Sequence, residues 1–225
     1  AAVNYKRLKS HNFAEIMDML GSNTGYLNVD SFDQVQFDLR NPNQVVGEGD
    51  TFRYNYMIDA NVLSSFVQAQ FKYNKVDFFV AGTYTATQYQ REGLYQTETY
   101  ADNSYGKGRQ LSFTGLGAKG GFTYKFSGKH ILNVNAGYLS KAPTIRNTFT
   151  NSRENHAIVG DKSGIDITEE KITSFDANYV FRSSTVKARL TGYYTQMQDA
   201  NEVSFYFADG ISGVDQGTAF VQEIL

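Results

Sequence analysis

Few residues in this chain have types and spacing that could do chemistry. Gly115-Leu116-Gly117-Ala118-Lys119-Gly120 spells GxGxxG, the signature of a loop that cradles a dinucleotide pyrophosphate. That chemistry needs the glycines in a strand-to-helix turn. Here they sit inside alternating apolar and polar positions, and no helix pattern follows. Asp161-Lys162-Ser163-Gly164-Ile165-Asp166 gathers oxygen ligands near a glycine but lacks the spacing of a calcium loop, and reads as a solvated loop. His11, His130 and His156 stand too far apart in sequence for a metal motif. Glu169-Glu170-Lys171 fits a loop-to-strand junction better than a pair of hydrolytic carboxylates. Cysteine is absent, which removes disulfides, thiolate metal sites and a thiol nucleophile. No catalytic, cofactor-binding or metal-ligating set can be assembled, so the residues do not describe an enzyme.

The charged residues are more informative through their positions. Lys72, Asp77, Lys119, Lys125, Asp176, Lys187 and Arg189 all fall on alternate positions opposite apolar ones. Strand side chains point to opposite faces with a period of two, so each such stretch has one apolar and one polar face. The clearest example runs from Leu111 to Leu139. Leu116, Ala118, Gly120, Phe122, Tyr124 and Phe126 form one set; Gly117, Lys119, Gly121, Thr123 and Lys125 form the other. After Ser127-Gly128-Lys129 the alternation resumes, with Leu132, Val134, Ala136 and Tyr138 against Asn133, Asn135 and Gly137. The same pattern places strands at about 51–73, 76–90, 109–126, 130–142, 167–181, 185–204 and 219–225, with a break near Asp59–Asn61. In the polar set, Gly117 and Gly121 would let a backbone or a neighbouring domain approach closely.

The connections sort by length. Short turns lie near Asn74, Gly128 and Ser183, and long loops centre near Thr99, Glu154 and Gly213. Short turns on one side and long loops on the other is the topology of outer-membrane barrels. Tyr73, Phe78, Phe126 and Phe181 beside the short turns would form an interfacial aromatic girdle. The fold class expected is therefore all-β. It is an antiparallel up-and-down meander, a segment of a large transmembrane outer-membrane β-barrel. Residues 51–225 would be partial barrel wall. Residues 1–50 would be an extracellular loop region, with a short helix over Tyr5–Leu20 suggested by the spacing of Leu8, Phe13, Ile16, Met17 and Leu20.

Composition agrees. Tyr and Phe are abundant, Pro is rare and Trp is absent, a mix that favours strands and turns. A net charge of −2 suggests no nucleic-acid partner. No apolar run is long enough for a transmembrane helix, but a spanning strand needs only about 9–11 residues with alternate ones apolar. Ala1-Ala2-Val3-Asn4-Tyr5 lacks the character of a secretion signal. The strand that starts at Ala219 breaks off at Leu225. Both ends point to a segment of a longer protein.

Gly137-Tyr138-Leu139-Ser140-Lys141-Ala142-Pro143-Thr144 resembles the Arg-Ala-Pro segment of TonB-dependent outer-membrane receptors, with Lys141 where Arg is usual. Ser65–Phe71, Asn41-Pro42-Asn43 with Gly47-Glu48-Gly49-Asp50, and Gly192–Thr195 with Ala219–Glu223 are similar to the same family. The closest variety is the one abundant in Bacteroidetes, with a carboxypeptidase-like N-terminal extension. The resemblance covers the chain from about Asn41 onward. It implies a 22-stranded barrel closed by a plug domain, a TonB complex as energising partner, outer-membrane lipid around the wall, and import of a scarce bulky ligand such as a siderophore, cobalamin, glycan or peptide. It assigns no ligand-binding residue; loops 91–108, 143–166 and 205–217 are the candidate regions. Two other readings fit the pattern, a passive porin or barrel scaffold and a soluble carbohydrate-binding β-sandwich.

Overall fold

The alternation from Leu111 to Leu139 becomes a hairpin of two strands, and this hairpin lies at the centre of one large sheet. In a computed structural model of the chain, residues 1–31, 34–164, 166–200, 202–209 and 218–224 are described. The long strands are β1 (Ala2–Glu15), β2 (Thr51–Lys72), β3 (Val76–Gly93), β4 (Leu111–Lys125), β5 (His130–Lys141), β6 (Glu170–Arg182) and β7 (Lys187–Gln198). They follow one another in the sheet in chain order, each antiparallel to the next, and the two-residue strand Gly106–Lys107 adds an eighth beside β3. The fold is all-β, an antiparallel meander. Among the described residues, β1 and β7 pair on one side only. Two further strands, β8 (Val203–Asp209) and β9 (Thr218–Ile224), form a separate hairpin.

Loop length sorts by side. Tight turns close β2–β3, β4–β5 and β6–β7, with Tyr73 N–H donating to Val76 O (2.9 Å), Ser127 N–H to His130 O (3.3 Å) and Ser183 N–H to Val186 O (2.8 Å). The connections β1–β2, β3–β4 and β5–β6 are long and lie at the opposite end of the strands.

The register carries the expected faces across the sheet. Ala69, Val80, Gly120, Ala136, Phe175 and Tyr194 lie in one continuous row, and Phe71, Phe78, Phe122, Val134, Ala177 and Gly192 in the next. The interleaved rows are polar: Gln68, Ala81, Lys119, Gly137, Ser174 and Thr195 form one of them. Lys72, Asp77, Lys119, Lys125, Asp176, Lys187 and Arg189 all fall on this second face. Three of its charges find local partners. Lys125 pairs with Asp77 at 2.7 Å, and Asp176 Oδ2 accepts from Asn135 (2.9 Å) and Asn178 (2.7 Å).

The apolar face is bare. Val67 is 59% exposed, Val80 54%, Leu116 55% and Leu190 75%. No other described element pairs with or covers these rows. Near the tight turns it is aromatic: Phe71 and Phe78 stack at 4.7 Å, Tyr124 meets Phe126 edge-on at 4.7 Å, and His130 lies 5.1 Å from Phe181. Toward the long loops the same face turns polar, with Arg7, Asn61, Gln88 and Ser112 in one row.

Several expectations are corrected. Tyr5–Leu20 is not a helix: Ala2–Glu15 is strand β1, paired with β2 along its length. Its apolar residues split between faces, and pairing to a distant partner decides the outcome over local spacing. The break near Asp59–Asn61 does not exist. These turn-favouring side chains are satisfied within the strand, Asp59 by Arg7 (3.0 Å) and Asn61 by the Tyr5 hydroxyl (2.9 Å). Strand β3 runs to Gly93, so the loop placed at 91–108 begins later, because Arg91, Glu92 and Gly93 pair with Ile58, Met57 and Tyr56. The strand expected at 185–204 ends at Gln198, where Asp199 takes a φ of +55°. The region 205–217 is not all loop: Val203–Asp209 pairs with Thr218–Ile224, and Gly213 lies outside the described residues. Gly117 and Gly121 make room for side chains of the flanking strands. A Cβ on Gly117 would collide with Thr83 Oγ1, and one on Gly121 would collide with Asn135 Oδ1 and lie 2.7 Å from Phe79.

Candidate functional site

The polar face ends, on the long-loop side, in the one described apolar core of the sheet. Tyr56, Ile58 and Ala60 of β2, Tyr89 of β3 and Phe113 of β4 pack there with Phe149 and Ile158 from the β5–β6 loop. That loop therefore folds back across the end of the polar face. Pro143 is buried beneath it, and its carbonyl accepts from the Tyr89 hydroxyl at 3.2 Å.

Arg91 holds this cap. It is 1% exposed. Its Nε donates to Ser152 O (2.5 Å), Nη1 to Ser104 O (2.8 Å) and Nη2 to Arg153 O (3.3 Å). The guanidinium also lies 5.2 Å from the Tyr56 ring centroid. One strand residue thus ties together the β3–β4 and β5–β6 loops. Close approach is needed for this. A Cβ on Gly108 would sit 2.7 Å from the His156 ring, and one on Gly93 would collide with Ser104 O. The β1–β2 loop joins the same cap: Leu39 N–H donates to Gln96 O (2.7 Å), Asp38 Oδ1 accepts from Gln96 N–H (3.0 Å), and Arg40 lies 4.3 Å over the Tyr105 ring.

His156 belongs to this lattice. Arg91 Nη1 can only donate, so His156 Nδ1, at 3.0 Å, accepts. The ring proton then sits on Nε2 and faces Tyr105 O at 3.3 Å. Burial, then the Arg91 charge, push the imidazole below its ordinary 6.5, against a smaller upward pull from Tyr105 O. A His with a depressed folded pKa stabilises the folded form above its unfolded pKa, and that stability falls as pH drops below 6.5 toward the depressed value. Protection of the amides at 150–158, relative to their intrinsic exchange rate at each pH, is expected to fall between pH 7.5 and pH 5, and His156→Gln to flatten that dependence. Equal wild-type protection at both pH values would refute it.

Between β1, β2 and the cap lies a groove of about 900 Å³. Leu8, Ser10 and Asn12 of β1 form one wall, Tyr56 and Ile58 the floor, and Arg146 with Phe149–Glu154 the other wall. Arg53 stands at its edge in a β-bulge, where Phe13 and Ala14 of β1 face Asn55 and Phe52. Its φ of +67° is rare for a residue with a side chain, and its N–H donates to Asn28 Oδ1 at 2.9 Å. Such bulges re-aim side chains.

Apart from His156, the chemical candidates from the sequence do not join this lattice. Gly115–Gly120 lies inside β4, without the strand-to-helix turn that a pyrophosphate site needs. His11 meets Asn55 Oδ1 (2.7 Å), and His130 meets the Tyr179 hydroxyl (2.5 Å). Asp161 pairs with Arg109 at 3.1 Å, and Ile165 is outside the described residues. Glu169 accepts from Thr114 N–H (2.6 Å), Glu170 pairs with Lys141 (3.0 Å) and Lys171 with Asp199 (2.6 Å), so the three form no carboxylate pair. Among the described residues no three His, Asp or Glu side chains gather as a metal site. Sequence reasoning missed Arg91 and Arg53, the first because the polar stretch around it has loop composition and the second because a bulge leaves no periodic signal. No protein family, curated protein or solved structure matches the chain.

Proposed function

We propose that this sheet is a wall segment of an outer-membrane β-barrel of the TonB-dependent transporter kind. Its apolar face meets lipid, and its loop end takes part in capturing a scarce, bulky ligand. The observation that carries this reading is the bare apolar face. Contiguous exposed apolar surface beyond a few hundred Å² marks a partner or a membrane, and here it extends over most of the sheet. Its length fits. Apolar positions on β2 run from Leu63 to Phe71, with Tyr73 just past its end, matching the roughly 9–11 residues that cross a bilayer. Rings gather at its turn end, as at a membrane interface, and the seven charges keep to the other face. A soluble sandwich would need a second layer over these rows. The unpaired outer sides of β1 and β7 suit continuation into a larger barrel, since an open sheet edge is unstable in lipid. The ordered cap favours ligand capture over a passive pore. TonB, a plug and the imported molecule enter as parts of the proposed whole.

The chain has no cysteine, so single cysteines report position cleanly. In cells making the full-length protein, cysteines at Val80 and Ala136 should resist a membrane-impermeant maleimide, before and after urea washing. Cysteines in the loops at Arg146 and Arg153 should react from outside. Ready labelling at Val80 and Ala136 would overturn the membrane reading. Ligand uptake that persists after collapse of the proton gradient would replace the transporter with a passive pore.

A further inference from the structure

We propose that the groove between β1, β2 and the β5–β6 loop binds an anionic small molecule, held through carboxylate or phosphate oxygens by Arg53, Arg146 and Arg153. The inference rests on the reading of the loop end as a ligand-capturing mouth, and adds the chemical class of what is captured. Ion pairs elsewhere on the sheet and loops engage Arg7, Arg109, Lys125, Lys141 and Lys171. The three groove arginines, like Lys72, Lys187 and Arg189, stand outside these pairs, but they stand together. Among the described residues none of their guanidiniums has an ion pair or a hydrogen bond, yet all three line one cavity. The only acid in the lining is Glu154, so the groove is net positive.

Each arginine is positioned, not merely present. Arg53 is projected by a bulge with a left-handed backbone, a strained conformation that the Asn28 hydrogen bond maintains. Arg146 rides on the one-turn helix Ile145–Thr148, which Thr144 caps. Arg153 lies 5.2 Å over the Tyr54 ring while its carbonyl is fixed by Arg91. A planar guanidinium binds a carboxylate or phosphate through two parallel N–H donors, so an array of them selects oxyanions. Ser10, Asn12, Thr150 and Asn151 add neutral polar groups, and Tyr56 with Ile58 adds an apolar floor. The volume, about 900 Å³, lies within the usual range for small-molecule sites.

The test is calorimetric titration of the full-length protein in neutral detergent with citrate and, separately, inorganic phosphate. Binding of either is expected, weakened by added salt. The combined R53Q, R146Q and R153Q variant should bind at least about tenfold more weakly. A preference for citrate assigns the carboxylate class; a preference for phosphate assigns the other. Binding of neither probe, or equal binding by the triple variant, overturns the proposal. Amide exchange of the cap checks that the variant is folded. Should it not be, R146Q alone, an exposed position, carries the test with a smaller but measurable loss expected. The two readings fail separately. Cysteine labelling at Val80 sinks the membrane wall without touching these titrations. Absent anion binding with Val80 protected sinks the groove alone.

Discussion

Arginine at Val80 is expected to abolish assembly of the sheet into the membrane, while arginine at Gln68 leaves it nearly intact. The two positions lie on adjacent strands, one row apart, and face opposite sides. Val80 is 54% exposed, and its row neighbours are Ala69 and Gly120. A long side chain has room there, so overpacking cannot explain a failure. What remains is the medium the charge enters. At the midplane of a bilayer an arginine on a barrel's outer face costs about 2–4 kcal/mol, a large part of a typical net stability of roughly 5–15 kcal/mol. In water the same substitution on an exposed strand position would be close to neutral. Ala136→Arg, in the same row across β5, should behave like Val80→Arg. The folded fraction is read from heat-modifiable mobility on gels and from protease resistance of the membrane-inserted protein. Equal tolerance of arginine at Val80, Ala136 and Gln68 would mean that the apolar face is not in lipid.

How much of this was legible in the sequence depends on whether a strand keeps one apolar and one polar face. From Leu63 to Tyr73 and through the strands that follow, alternation is strong and most faces are readable from it, Phe66 on the polar face being an exception. Beyond that band the outer face turns polar while the inner face carries the apolar core of Tyr56, Ile58, Tyr89 and Phe113, so the pattern no longer runs on unchanged. There Lys6, Arg7, Lys9 and His11 give β1 no period of two, and Leu8 with Phe13 imitates a helix. Asp59 and Asn61 look like a turn for the same reason. In both places the strand is fixed by a partner some fifty residues away, as Arg7 meets Asp59 and Tyr5 meets Asn61. The cap was harder still. Its anchoring acceptors are backbone carbonyls, which every residue carries, so no residue type announced that Ser104, Ser152 and Arg153 would converge on Arg91. The groove arginines became a set only once a bulge and two loops had brought them together.

Arg91→Met is expected to release the cap and to leave the sheet in place. The reasoning starts from the charge. A buried cation is tolerated only where dipoles replace its water, and here three carbonyls from two loops do so, with the Tyr56 ring beside them. Each hydrogen bond to a charged group contributes about 1.5–3 kcal/mol. Methionine fills similar volume and leaves all three carbonyls without a donor, so the loss should exceed about 3 kcal/mol. Local opening of a loop needs less than that. Fast amide exchange should therefore spread over 102–108 and 150–158, while β4 and β5, held by their own ladder, keep wild-type protection. Arg91→Lys is the sharper variant. It keeps the charge, but a single ammonium cannot span acceptors on two loops with the geometry of a fork, and most of the loss should remain. Arg7→Met removes a cation of the same type from an exposed pair with Asp59, and its effect should be small. If Arg91→Lys and Arg91→Met both exchange like wild type, the loops are held by the Phe149 and Ile158 packing instead. If they open as expected, capture at the groove should weaken with them, because Arg153 owes its place to the same guanidinium that binds its carbonyl.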